Sequence, residues 1–193
     1  MPHSLARAFV WSLALLTAAS AAQATQIIYQ TPEQMGQEAT LVVRGVVSQV
    51  QSFWNETHTK IFTETVISVD ATYKGREVRT ARVVQLGGVV GNVRVHVQGA
   101  LSWRAGEEVL LFLEPDNRGG LRVTGFSQGK FDIERDPATG EMFITRPALD
   151  AIAGAGVSGA QGAIEGTGGT AKVRLDEFLD RALGNGARGG EAR

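Results

Sequence analysis

Gly125-Phe126-Ser127-Gln128-Gly129 is the segment whose residue types and spacing come nearest to spelling a nucleophile. In G-x-S-x-G elbows a strand runs into a tight turn and then a helix. This exposes the serine hydroxyl, and a histidine later in the chain serves as base. Neither condition is met. Lys130-Phe131-Asp132-Ile133-Glu134 alternates like a strand, and His3, His58 and His96 all precede the serine. The plainer reading is a bend between two strands, with the glycines supplying backbone freedom. Hydrolysis through Ser127 is a disfavoured alternative.

Other chemistry-bearing residues are scattered. His58 and His96 have no second ligand at strand or helical spacing. Asp116-Asn117 and the Asp132/Glu134 pair do not follow a calcium-loop spacing. Glu107-Glu108 would project to opposite faces of a strand and so would not act together on one substrate. Gly87-Gly88 with Gly91 lacks the lysine and spacing of a phosphate loop and fits a hairpin connection better. The residues therefore point to no catalytic residue, no cofactor and no metal. Phe53, Trp54 and Trp103 could form a sugar- or envelope-binding surface through exposed aromatics, although partial burial as packing residues is the simpler expectation.

The compartment comes from the first 24 residues. Arg7 precedes an apolar run that includes Val10, Trp11, Leu13, Leu15 and Leu16, and Ala22-Gln23-Ala24 is a small-residue cleavage pattern. The expectation is a signal peptide over 1–24, cleavage after Ala24, and a mature chain starting at Thr25. The run is well short of the ~20 residues a spanning helix needs, so no stable membrane anchor is expected. Localisation would be periplasmic or extracellular. Removing the leader takes Arg7 with it and moves the net charge from -1 to -2, which disfavours nucleic acid as a partner. The chain has no cysteine, so an exported domain of this kind would hold together by its core without disulfides.

Strands dominate the middle of the chain. Thr31-Pro32-Glu33-Gln34 carries a capping box and a proline at the first helical position, predicting a short helix that ends near Ala39. Strands are expected over 41–50, 61–73, 81–86, 93–97, 108–113, 121–126, 130–134 and 141–145. The run 108–113 is nearly all apolar and reads as the most buried. Trp54 to His58 reads as a polar connection. Residues 149–171 form a Gly/Ala-rich linker, and 172–184 an amphipathic helix with Leu175, Phe178, Leu179, Ala182 and Leu183 on one face. Residues 185–193 read as a flexible tail. Residues 25–148 would form one mainly β domain, a small OB-like Greek-key barrel of five to six strands, with a short helix before it and an amphipathic helix after it.

The order of segments carries a resemblance. Leu41 to Val47 is followed by Tyr73-Lys74-Gly75 and then Gln85-Leu86-Gly87-Gly88. Next come Gly106-Glu107-Glu108 with the apolar run to Leu113, then Gly125 and Gln128-Gly129-Lys130-Phe131. This pattern, covering about Glu38 to Ile133, resembles a group of exported bacterial proteins of unassigned activity. Their core is similar to the barrel of netrin-type modules and tissue inhibitors of metalloproteinases. The resemblance implies an OB-like fold and a non-enzymatic module acting on an exported protein, a peptidase or an envelope component. Those inhibitors hold the protease zinc with the amine and carbonyl of an N-terminal cysteine. Here the corresponding amine would belong to Thr25, with no disulfide to anchor it.

Overall fold

The computed structural model describes residues 30–117, 119–145, 172–184 and 190–191. The expected signal peptide with its cleavage point at Ala24, the Thr25 amine and the whole of the expected linker, 149–171, lie outside the described residues. Helix α1 (Pro32–Glu38) starts with the capping box read from the sequence: Thr31 Oγ1 accepts from Gln34 N, and Gln34 Oε1 accepts from Thr31 N. The strands are β1 (Leu41–Trp54), β2 (Ile61–Lys74), β3 (Thr80–Leu86), β4 (Gly88–Val90), β5 (Val93–Val95), β6 (Glu108–Pro115), β7 (Leu121–Val123), β8 (Lys130–Arg135), β9 (Met142–Thr145) and β10 (Val173–Arg174). Helix α2 (Leu175–Leu183) and β11 (Gly190–Glu191) follow. Among the described residues no helix is long and apolar enough to cross a membrane.

Five strands close a barrel in the order β1-β2-β3-β7-β6 and back to β1. All these pairings are antiparallel except β3 with β7. This is the expected mainly β, OB-like barrel with a helix at each end. Strand β1 can pair on both sides because it is long and bent. Register shifts at Val42/Val43, Arg44/Gly45 and Val47/Gln49 let its first half serve β6 while nearly its whole length serves β2. Strands β8, β9 and β10 extend the sheet beyond β6.

Strand β6 is buried on both faces. Val109, Leu111 and Leu113 join Leu41, Val43, Val47, Ile67, Ala81, Val83 and Val123 inside the barrel. Leu110 and Phe112 face the other way and meet Met35, Phe131, Ile144, Phe178 and Leu179 beneath the two helices. An apolar run without alternation is what a strand between two cores requires. The helices approach closely: a Cβ on Gly36 of α1 would sit 1.8 Å from the Ala182 carbonyl oxygen of α2. Phe112, Phe131 and Phe178 pack mutually, with ring centroids 4.7–6.0 Å apart.

Two local expectations are corrected, those for Trp54 and for the end of β7, and two further pairings add detail. Trp54 is the last residue of β1 rather than part of a connection. The strand's second half, Gln49 to Trp54, buries no residue on either face, while its backbone stays paired with β2. Strand β7 stops at Val123 instead of Phe126, because Gly125 and Phe126 both take positive φ, 64° and 68°. Gly88 to Val95 forms a tight hairpin of its own, β4 with β5. Within the tail, Gly190 and Glu191 pair with Thr72 and Ala71 of β2, beyond the point where β3 stops pairing with that strand.

Candidate functional site

The barrel closes unevenly. Strand β3 is laddered to β2 from Thr80 to Leu86, and β7 is laddered to β6 from Leu121 to Val123. Among the described residues β3 and β7 share one register pair, Val83 with Leu121. Beyond it the two parallel strands separate into a fork. The Gly87 N–H reaches back to Ile61 O at 2.8 Å. Alternation then places the backbone groups of Val84 and Leu86 on the side facing β7. Strand ends that diverge in this way leave polar backbone beside apolar side chains.

The fork opens into a cavity of about 500 Å³, walled by Val83 to Leu86 of β3, Arg122 and Val123 of β7, and Val97, Ala100 and Leu101 of the segment before β6. The Gln85 amide ties that segment down. Its Nε2 donates to Leu101 O at 2.7 Å, and its Oε1 accepts from Trp103 Nε1 at 3.2 Å. Leu101 and Trp103 then pack against the barrel interior.

The opposite wall is the turn 124–129. Gly125 is required twice over: its φ is 64°, and a Cβ there would sit 2.4 Å from Gln30 Oε1. Gln30 N donates to Gln128 Oε1 at 2.9 Å, which fixes the chain entering α1 against this turn. Gln30 Oε1 is buried without a hydrogen-bond partner among the described residues. Phe126 holds a left-handed conformation and is 55 % exposed at the cleft. A bulky residue in that conformation costs roughly 1–2 kcal/mol, and such strain is often kept at binding sites. Charge sits at the rim. Arg122 Nε lies 3.1 Å from Glu114 Oε1, and Glu38 accepts from Gln30 Nε2.

The other predicted residues fall elsewhere. Ser127 lies in the turn between β7 and β8, 5 % exposed, with a strand after it and its own N–H donating to Gly125 O. His58 occupies the β1–β2 loop and stacks on Trp54 at 6.3 Å, and His96 follows β5. Trp54 and Trp103 thus have separate partners, and Trp103 also lies under the Lys130 ammonium at 5.3 Å. Glu107 and Glu108 point apart as expected. Glu107 comes within 3.3 Å of Lys130, while Glu108 accepts from Arg44 at 2.8 Å and from Arg135 at 2.7 and 2.9 Å. Burial alone would push the Glu108 carboxyl up. The hydrogen bonds from Arg135 and Arg44 outweigh it and hold the group below its ordinary value. Among the described residues no group of three or more His, Cys, Asp or Glu side chains could hold a metal ion.

Sequence reasoning missed the fork itself, with Phe126, Arg122 and Glu114 at its mouth. The available signal was an aromatic residue enclosed by turn-forming residues in Gly125-Phe126-Ser127-Gln128-Gly129, a poor place for a residue meant only for packing. No family model matches this chain, and no curated protein matches it.

Proposed function

We propose that the chain is an exported, non-enzymatic binding module that takes an extended segment of a protein partner into the fork between β3 and β7. The observation that carries this reading is the loss of pairing after Val83 and Leu121 among the described residues, which leaves a strand edge beside a mainly apolar cavity of about 500 Å³ with charged residues in its wall. An extended peptide adds to such an edge through main-chain hydrogen bonds, and alternate side chains enter the apolar space. Phe126 would close over them. The buried Gln30 Oε1, without a hydrogen-bond partner among the described residues, offers an acceptor whose desolvation is already borne by the fold. Export rests on the leader at 1–24.

Panning a displayed random peptide library against the purified chain tests the proposal. It predicts enrichment of uncharged, alternating apolar peptides whose binding weakens about tenfold in Phe126→Ala. A failure to enrich any peptide, or binding indifferent to Phe126, refutes it.

A further inference from the structure

Strand β1 outruns its neighbour on the β6 side. Strand β6 pairs with it as far as Val46. The turn Arg104–Glu107 then holds Val47, whose N–H donates to Glu107 O and whose carbonyl accepts from Gly106 N. From Ser48 to Trp54 the strand runs beside β2 alone among the described residues. Past the irregularity at Val47/Gln49 its pairing with β2 is regular to Trp54. The outer row of N–H and C=O groups therefore forms an unpaired edge about 23 Å long. The β4–β5 hairpin lies across one face of this ribbon, where a Cβ on Gly88 would meet both Ser52 and Thr63, and it is a separate sheet that does not continue the ladder. Sheet edges are ordinarily protected by lysine, proline or an inward-pointing charge. Gly45 to Asn55 contains no charged residue and no proline, and Val50 and Phe53 on this edge are exposed.

We infer that this edge is the interface between two copies of the chain, joined antiparallel about a two-fold axis at Gln51. An axis at the centre of the edge sets Gln51 opposite Gln51, Val50 opposite Ser52 and Gln49 opposite Phe53, and an uncharged edge meets itself without repulsion. The ends of the edge favour a second copy over an unrelated strand. The β1–β2 loop of each copy, with exposed Glu56, comes against the Arg104–Glu107 turn of the other, with exposed Arg104. Glu107 in that turn lies 3.3 Å from the Lys130 ammonium, so its charge is already countered. Lys60 sits on the β2 side of the loop, next to Ile61 and away from the edge. The Glu56–Arg104 contact forms twice, once on each side of the axis. Strand β2 separates this edge from the fork, so the inference stands independently of peptide binding.

Sedimentation velocity of the full-length chain tests the inference. The parent should pass from monomer to dimer, and no further, below about 0.1 mM, as a contact of micromolar strength requires. Gln51→Lys and Gln51→Glu each set two like charges face to face at the axis and should weaken dimerisation about tenfold or more. An equimolar mixture of the two variants should restore it, because lysine then meets glutamate. That recovery also shows both variants to be folded. At the ends of the edge, Glu56→Arg should weaken dimerisation about threefold, and Glu56→Arg with Arg104→Glu should return it to the parent's value. A parent that stays monomeric, assembly beyond the dimer, or dimerisation indifferent to the charge at position 51 would each overturn the inference. So would a mixture no better than its components when circular dichroism shows both folded. If either position-51 variant is unfolded, the exchange of charge between Glu56 and Arg104 decides, and an exchange that recovers nothing overturns the pairing about Gln51.

Discussion

The two sides of the barrel differ in how completely they are closed. On the helix-covered side, β1 and β6 are paired over six successive residues, and a second layer of side chains lies on top. On the other side, β3 and β7 share one register pair among the described residues and then part around a cavity. The covered side is built from close approach: Gly36 against Ala182, and three phenylalanine rings in mutual contact. The forked side is built from interruption: a three-residue strand, two consecutive positive-φ residues and an exposed ring. A small disulfide-free domain needs one side to carry its stability if the other is to stay open. We read the covered side as the stabilising one and the fork as the functional one.

Substitutions should separate the two. Phe112→Ala empties a fully buried site between Phe131 and Phe178 and should cost about 3–5 kcal/mol in chemical denaturation. Gly36→Ala forces the helices apart and should cost about 1–3 kcal/mol on the same assay. Glu108→Gln weakens the charged hydrogen bonds to Arg44 and Arg135 and should cost about 2 kcal/mol near neutral pH. The Glu108 carboxyl is held below its ordinary value in the fold. Its contribution is therefore complete above the unfolded value of 4.5 and is lost as pH falls through the lower folded value. Parent and Glu108→Gln stabilities should converge in acid, and a gap that widens there would contradict the ion-pair account. Phe126→Gly is the smallest stability effect and opposite in sign: it relieves the left-handed strain and should raise stability by about 1 kcal/mol while weakening peptide binding.

The two sides also differed in how far the sequence revealed them. The helix-covered side was legible: Val109 to Leu113 is an unbroken apolar run, Thr31 and Gln34 announce the start of α1, and Leu175, Phe178, Leu179 and Ala182 share one helical face. These are local patterns with a single structural solution. The fork was not legible, because it depends on a parallel pairing between Val83 and Leu121, distant in sequence, and on where that pairing stops. Periodicity through Leu121 to Phe126 extended a strand that the turn conformation of Gly125 and Phe126 cuts short. Trp54 lies beyond the expected end of β1 for a related reason: side-chain polarity reports exposure to water, whereas ladder hydrogen bonding decides where a strand ends.

The most direct test of the central claim is the affinity of a panned extended peptide, measured by fluorescence anisotropy for the parent, Phe126→Gly and Phe53→Ala chains. Phe53 is exposed on β1, outside the fork. The account predicts a dissociation constant about tenfold weaker for Phe126→Gly and unchanged for Phe53→Ala. Equal losses in both, or no loss in Phe126→Gly, would contradict it.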